Sequence, residues 1–386
     1  MKCVKLNQLC EINIGKTPSR SNSKYWGKGH KWLSIADMKS KYISETKEEI
    51  TDLAVSEANM KIVPKNTVLM SFKLSIGKIG ITTEEMYTNE AIASFPIIEK
   101  EKIIPEYLYY VLKTLRYDNL SDRAVMGATL NKKKLNQIVI PLPSIIVQKK
   151  IVNLLNKAEE LIDKRKAQIE ALDQLTQSVF LEMFGDPVTN PKDWDVCTFK
   201  DVSTVRQGLQ IPISKRLKHK VENSYKYITV QYLNGHKEEE YIQNPKPNVI
   251  CTKDDILMTR TGNTGMVISN VEGVFHNNFF LIDFNRELFE KMFLIYYLNT
   301  EYIQWDLLRR AGNSTIPDLN HSEFYKISVY VPPLELQKIF ANKIKRIEHQ
   351  KELLKSGLLE LENMYNALMQ KAFKGELFNE EKFPNL

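Results

Sequence analysis

The chain repeats itself, and that constrains its fold more than any other feature. "LNKKKLNQIVIPLPSIIVQKKI" begins at Leu130 and "LNHSEFYKISVYVPPLELQKIF" at Leu319. Six of their 22 positions are identical: Leu130/Leu319, Asn131/Asn320, Ile138/Ile327, Pro143/Pro332, Gln148/Gln337 and Lys149/Lys338, each pair 189 residues apart. Four further matches keep the same order, with offsets drifting between 186 and 193 as loop insertions would produce. "VKLNQLCEINIGK" (4–16) parallels "CTFKDVSTVRQGL" (197–209), with Gly15 over Gly208. "VLMSFKLSIGKIGI" (68–81) parallels "ILMTRTGNTGMVIS" (256–269). "YTNEAIASF" (87–95) parallels "FHNNFFLID" (275–283), with Asn89 over Asn277, and "YLYYVL" (107–112) parallels "FLIYYL" (293–298). A chain of 386 residues duplicated in this way builds one fold twice.

Each repeat has two parts. The first, residues 1–143 or 187–332, mixes short apolar, β-branched runs such as Val68–Ser71 and Ile256–Thr259 with turn residues and short amphipathic helices. That pattern predicts an α+β domain. The second part differs. Gln148 to Phe184 and Gln337 to Phe373 place apolar residues near the heptad period, Leu161, Ile169 and Leu175 among them in the first. Pro143 and Pro332–Pro333 stand just before these stretches, and Gly185 and Gly375 just after. Two helices of 37 residues follow, each about 55 Å long. Their narrow apolar stripe suits a two-helix seam, with Arg165 snorkelling from its edge. The expected architecture alternates two globular domains with two long helices paired as an antiparallel coiled coil, giving a pseudo-two-fold internal repeat. Its boundaries are 1–143, a central helix in 144–186, 187–332, a distal helix in 333–378 and a C-terminal tail in 379–386.

The chain has a net charge of +7, and its distribution is informative. Residues 1–41 hold nine Lys/Arg against Glu11 and Asp37, and residues 206–237 hold seven against Glu222 alone. Basic clusters therefore occupy early positions in both halves, where a polyanion would bind. The four cysteines, Cys3, Cys10, Cys197 and Cys251, and six histidines show no metal-site spacing, and reduced cytoplasmic thiols are expected. No apolar run is long enough to span a bilayer.

At the junction and helix residues the chain resembles the specificity subunit of type I restriction–modification systems over nearly its whole length. The family's junction runs roughly L-N-x3-L-x2-I-x-[IV]-P-L-P-x4-Q. Here it reads Leu130, Asn131, Leu135, Ile138, Ile140, Pro141, Leu142, Pro143 and Gln148, then Leu319, Asn320, Phe324, Ile327, Val329, Pro332 and Gln337. "FLEMFGDPVTNPKDW" (180–194), "ALMQKAFKGELF" (367–378) and "GNSTIPDLN" (312–320) are similar to other family segments. Two departures stand out: Val147 and Leu336 replace the acidic residue often found before the Gln, and Tyr330–Val331 replaces Pro–Leu. The resemblance implies that each globular domain is a target recognition domain reading one half of a bipartite, asymmetric sequence in double-stranded DNA. It implies helices that set the unread spacer and dock two methyltransferase (modification) subunits, joined by restriction/translocase subunits. S-adenosylmethionine, ATP and Mg would then belong to those partners, with no cofactor and no catalytic residue in this chain.

The chain's own motifs agree with a non-catalytic subunit. An amino-methyltransferase needs [DNS]-P-P-[YFW], and the nearest stretch is "NPKP" (244–247). No phosphate loop occurs, and Pro317–Asp318 lacks a nuclease Glu-x-Lys partner. For DNA contact, phosphate partners come from Lys and Arg, and base readers from Arg, Lys, Asn and Gln. In the first domain "GKTPSRSNSKYWGKGHK" (15–31) offers Lys16, Arg20, Lys24, Tyr25 and Lys28, beside Trp26. In the second, "RQGLQIPISKRLKHK" (206–220) offers Arg206, Gln207, Lys215, Arg216 and Lys218. A hairpin adds Lys73 and Lys78 in one copy, and Arg260, Thr261 and Asn263 in the other. Tyr25 and Trp26 could instead fill a core edge and leave the lysines merely exposed. The competing function is a duplicated coiled-coil adaptor that binds protein without DNA specificity.

Overall fold

The computed structural model describes residues 2–73, 75–115, 122–124, 127–312 and 317–378. The tail expected at 379–386 and part of the 312–320 segment lie outside the described residues. The chain divides into two compact units, Met1–Lys166 with Ser356–Leu386, and Ala167–Lys355. The division runs through the middle of both long helices.

Unit 1 contains β1 (Cys3–Lys5), β2 (Asn13–Ile14), β3 (Trp26–Leu33), β4 (Tyr42–Ile43), β5 (Glu48–Ile50), α1 (Asp52–Glu57), β6 (Val68–Ser71), β7 (Ile79–Thr82), β8 (Tyr87–Thr88), β9 (Ile92–Phe95), α2 (Pro105–Thr114), β10 (Asp122–Ala124), β11 (Gly127–Thr129), α3 (Lys132–Asn136), β12 (Val139–Pro141) and the first half of α4 (Ile145–Phe184). Unit 2 contains β13 (Val196–Thr198), α5 (Phe199–Val202), β14 (Ser203–Gln207), β15 (Ser224–Ile228), α6 (Val230–Leu233), β16 (Tyr241–Gln243), β17 (Ile250–Cys251), β18 (Ile256–Thr259), β19 (Val267–Ile268), β20 (Gly273–Phe275), β21 (Phe279–Phe284), α7 (Lys291–Leu298), α8 (Glu301–Ala311), α9 (His321–Phe324), β22 (Ser328–Tyr330) and the first half of α10 (Leu334–Lys374).

The repeat in sequence is a repeat in topology. The sheet order β2-β9-β6-β7-β4 in unit 1 corresponds to β14-β21-β18-β19 in unit 2. The order β5-β3-β8 corresponds to β16-β15-β20, with one antiparallel and one parallel neighbour in each. The central strands β6 and β18 are buried along their whole length, as their unbroken apolar runs require.

The shared junction motif is explained residue by residue. Leu130 and Leu319 are buried. Asn131 caps α3 by accepting from Lys134 N, and Asn320 caps α9 by accepting from Glu323 N, both at 2.9 Å. Ile138 and Ile327 are buried, and their carbonyls accept from Leu6 N and Phe199 N. The entering strand of each unit then pairs with the leaving one, β1 with β12 and β13 with β22. The motif's glutamine is fully buried in both copies. Gln148 donates to Lys102 O and Pro143 O and accepts from Ile104 N at the start of α2. Gln337 donates to Leu288 O and Pro332 O and accepts from Glu290 N at the start of α7. One amide thus ties the long helix to the short helix beside it.

The long helices run for 40 and 41 residues, starting three residues earlier than the periodicity predicts, the second directly after Pro333 and the first one residue past Pro143. Gly185 and Gly375 end them with φ near +84° and +81°, where a side chain would be strained. In unit 1, Glu159 accepts from Tyr365 (2.6 Å) and Lys166 pairs with Glu362 (3.0 Å). In unit 2, Phe180 and Phe184 pack on Phe340 and Lys351 pairs with Asp173. The apolar stripe is narrower than expected. Leu161 and Leu175 are 52% and 45% exposed, because a helix with a single helical neighbour covers only the positions facing it. Arg165 lies across Gly357, where a Cβ would come within 2.5 Å of its guanidinium.

Candidate nucleic-acid interface

In each domain the basic segment has, at or near its start, a glycine pressed against backbone. A Cβ on Gly15 would lie 2.2 Å from Asn89 O, and one on Gly208 would lie 2.3 Å from His276 O. The next residue is held by both its amide and its carbonyl. Lys16 N donates to Thr88 O, and Lys16 O accepts from Trp32 Nε1 (3.0 Å). Leu209 N donates to Phe275 O, and Leu209 O accepts from the Tyr227 hydroxyl (2.8 Å). Trp32 and Tyr227 occupy equivalent places in β3 and β15.

An arginine from the same segment then closes on that aromatic ring. Arg20 Cζ lies 5.0 Å from the Trp32 ring centre and 3.7 Å from that of Trp26; Arg216 Cζ lies 5.0 Å from that of Tyr227. A glutamate on the neighbouring segment receives each guanidinium. Arg20 forks onto both oxygens of Glu48 at 2.5 and 2.9 Å. Arg216 reaches Glu240 at 3.0 Å and gives two further bonds to Ile211 O. Glu48 faces Trp32 across the β3–β5 ladder, and Glu240 O accepts from Tyr227 N. The hydrogen bond from Arg20 holds the Glu48 carboxyl below its ordinary range. For Glu240, burial pushes upward, but hydrogen bonds from Lys237 and Arg216 outweigh it and the net shift is downward.

Several of the predicted residues have partners inside their own domains. Arg20 and Arg216, named as DNA contacts, are compensated inside their own domains. Arg260 likewise forks onto Asp318 at 3.0 and 2.8 Å. Tyr25 donates to Glu57 (2.6 Å) and, with Trp26, packs partly buried against the cluster of Trp32, Ile50 and Tyr87. Arg206 gives a long bond to Asn248 O and Gln207 one to Asn277 O, both 3.4 Å. Lys73 lies near the Phe72 ring, and Lys78 donates to Ile35 O (3.2 Å). By contrast, Lys16, Lys24, Lys28, Lys215 and Lys218 are exposed and make no side-chain bond among the described residues. Arginine's planar fork suits a fixed carboxylate, whereas a lysine on a flexible stem stays available to phosphate.

The hairpin is common to both copies. Ser71 and Thr259 each donate a hydroxyl across the turn, to Ser75 O and Asn263 O. The same hydroxyls accept from Lys78 N and Met266 N at 3.0 and 2.9 Å. Thr261 and Asn263 lie on the turn, Asn263 exposed. One feature belongs to the first domain alone. Trp26 and His30 both stand opposite Ile50, so Gly27, Lys28 and Gly29 bulge out of β3. Gly27 has φ +151° in open space, while a Cβ on Gly29 would meet Ile50 O at 2.5 Å. Glu49 holds Gly29 N at 2.7 Å, leaving Lys28 at the tip. In the second domain, β15 pairs with β16 without a shift.

Sequence reading missed Trp32, Tyr227, Glu48 and Glu240. The glutamates do sit in matching Lys–Glu runs, "KEE" at 47–49 and "KEEE" at 237–240. The intervals from glycine to arginine, 15 to 20 and 208 to 216, hide the equivalence. Among the described residues no three His, Cys, Asp or Glu side chains converge as a metal site, and no helix is long and apolar enough to cross a membrane.

The type I restriction modification DNA specificity domain matches residues 1–172 and again residues 191–363. The MjaIX specificity subunit of a type I restriction enzyme from Methanocaldococcus jannaschii is 27% identical, covering 98% of this chain and 93% of that protein. The HindI specificity subunit from Haemophilus influenzae is 28% identical over 43% of this chain and 38% of its own length. A solved chain of the type I R-M system superposes with a TM-score of 0.66 at 16% identity, covering 97% of this chain and 98% of that one. The S subunit from M. genitalium does so with 0.55 at 16%, covering 96% of each. At those identities the structural likeness speaks for the fold.

Proposed function

Because the chain belongs to the type I restriction–modification DNA specificity family, it is a DNA sequence-specificity subunit, and we infer that each globular domain reads one half of a bipartite, asymmetric site. The observation that carries this reading is the clamp built twice on one scaffold, holding loops of different length and composition: Lys16–Ser19 before Arg20, and Leu209–Lys215 before Arg216. Equal frames with unequal loops are what two unlike half-sites require. The free lysines supply phosphate contacts, and the hairpin tips and loops supply base contacts.

The long helices pair antiparallel and set the unread spacer. The pairs Glu159 with Tyr365 and Lys166 with Glu362, and Phe180 with Phe340 and Asp173 with Lys351, support this: within each unit one partner number rises as the other falls. The chain supplies no catalysis. It docks two modification subunits that bring S-adenosylmethionine chemistry, with ATP- and Mg-dependent restriction subunits joining that cytoplasmic complex. Its duplicated basic segments favour this reading over a protein-binding adaptor.

Methylome sequencing of cells carrying this gene with its modification subunit tests the proposal. The expected result is one asymmetric, two-part motif with a fixed gap. A continuous motif, or no methylation dependent on this chain, would overturn it.

A further inference from the structure

We propose that Arg20 and Arg216 are positioning residues for DNA recognition: each clamp fixes one reading loop, residues 16–19 or 209–215, and so governs one half-site without touching the DNA. The proposal rests on the half-site reading above. Neither loop belongs to a strand. Each is fixed where it starts, by the glycine's close approach and the bond from the aromatic to the following carbonyl. Each is fixed where it ends, by the arginine stacked on that same aromatic and forked or bonded to a glutamate. Start and end therefore converge on one side chain, Trp32 or Tyr227. The loop between can vary while its ends stay in place, and a reading surface must hold its polar groups in register with base edges.

The alternative for these arginines is direct phosphate contact, the role their charge suggests. The two roles make opposite demands on the glutamates. A phosphate-binding arginine is weakened by a carboxylate partner, so neutralising Glu48 or Glu240 would strengthen DNA binding and steepen its salt dependence. A clamp arginine needs that partner, so the same change would blur one half-site.

The experiment uses the full chain assembled with its modification subunits and measures binding and methylation of duplexes mutated in one half-site at a time. Glu48→Gln is expected to lower discrimination at one half-site about tenfold or more, with the other half-site and the salt dependence unchanged. Glu240→Gln is expected to do the converse. Intact reading of the other half-site shows that each variant is folded and assembled. Unchanged discrimination, tighter and more salt-sensitive binding, or equal loss at both half-sites in Glu48→Gln would overturn the clamp. A wild-type complex with no two-part preference would instead overturn the half-site reading itself.

Discussion

The two domains share their junctions almost bond for bond and differ at their rims. Gln148 and Gln337 make the same three contacts to corresponding backbone groups. The clamps are equivalent in plan but unequal in depth. Arg20 and Glu48 are 53% and 41% exposed, whereas Arg216 and Glu240 are 12% and 16% exposed. The first domain carries the Lys28 bulge, and the second sets helix α8 against its hairpin, where Gln304 bonds Gly265 O at 2.8 Å. Duplication has kept what connects a domain to its helix and released what faces outward, because connection has one geometry and recognition has many.

The sharpest test of the shared part is Gln148→Ala against Gln337→Ala. Each removes three hydrogen bonds between a buried amide and the backbone, so each should cost about 3 kcal/mol by denaturant titration. Unequal losses would break the claimed equivalence of the junctions. The unequal part is tested by Arg216→Ala against Arg20→Ala. The former leaves a largely covered carboxylate with Lys237 as its remaining partner and should cost about 2 kcal/mol. The latter, at a half-exposed pair screened by solvent, should cost about 1 kcal/mol or less.

A further contrast is pH-dependent. In unit 1, burial pushes the Glu159 carboxyl up, but hydrogen bonds from Lys113, Tyr110 and Tyr365 outweigh it, so its folded pKa lies below the ordinary range. Its contribution is complete above the unfolded carboxylate pKa and is lost as pH falls through the depressed folded value. The stability gap between wild type and Glu159→Gln should therefore shrink on acidification. The counterpart Glu348 meets Tyr296 only at 3.4 Å, so Glu348→Gln should destabilise less at neutral pH. Asn131→Ala and Asn320→Ala remove equivalent caps and should each cost about 1 kcal/mol in thermal melts. Lys28→Ala should leave stability within about 0.5 kcal/mol. It should nevertheless lower the salt slope of DNA binding by about one ion.

The sequence by itself determined the duplication, the α+β character of each domain, the two long helices and their proline and glycine ends. These depend on local pattern: apolar period, caps and backbone freedom at fixed positions, which survive divergence at a constant offset. It also placed the basic segments at equivalent starts. Only the tertiary structure decided which charges in those segments are available. Whether an arginine meets DNA or a glutamate depends on what lies across the sheet, and Glu48 is 28 residues from Arg20 while Glu240 is 24 from Arg216. A side chain's charge is written in the sequence, but its partner is set by the fold, because electrostatic pairing follows distance in space rather than distance along the chain.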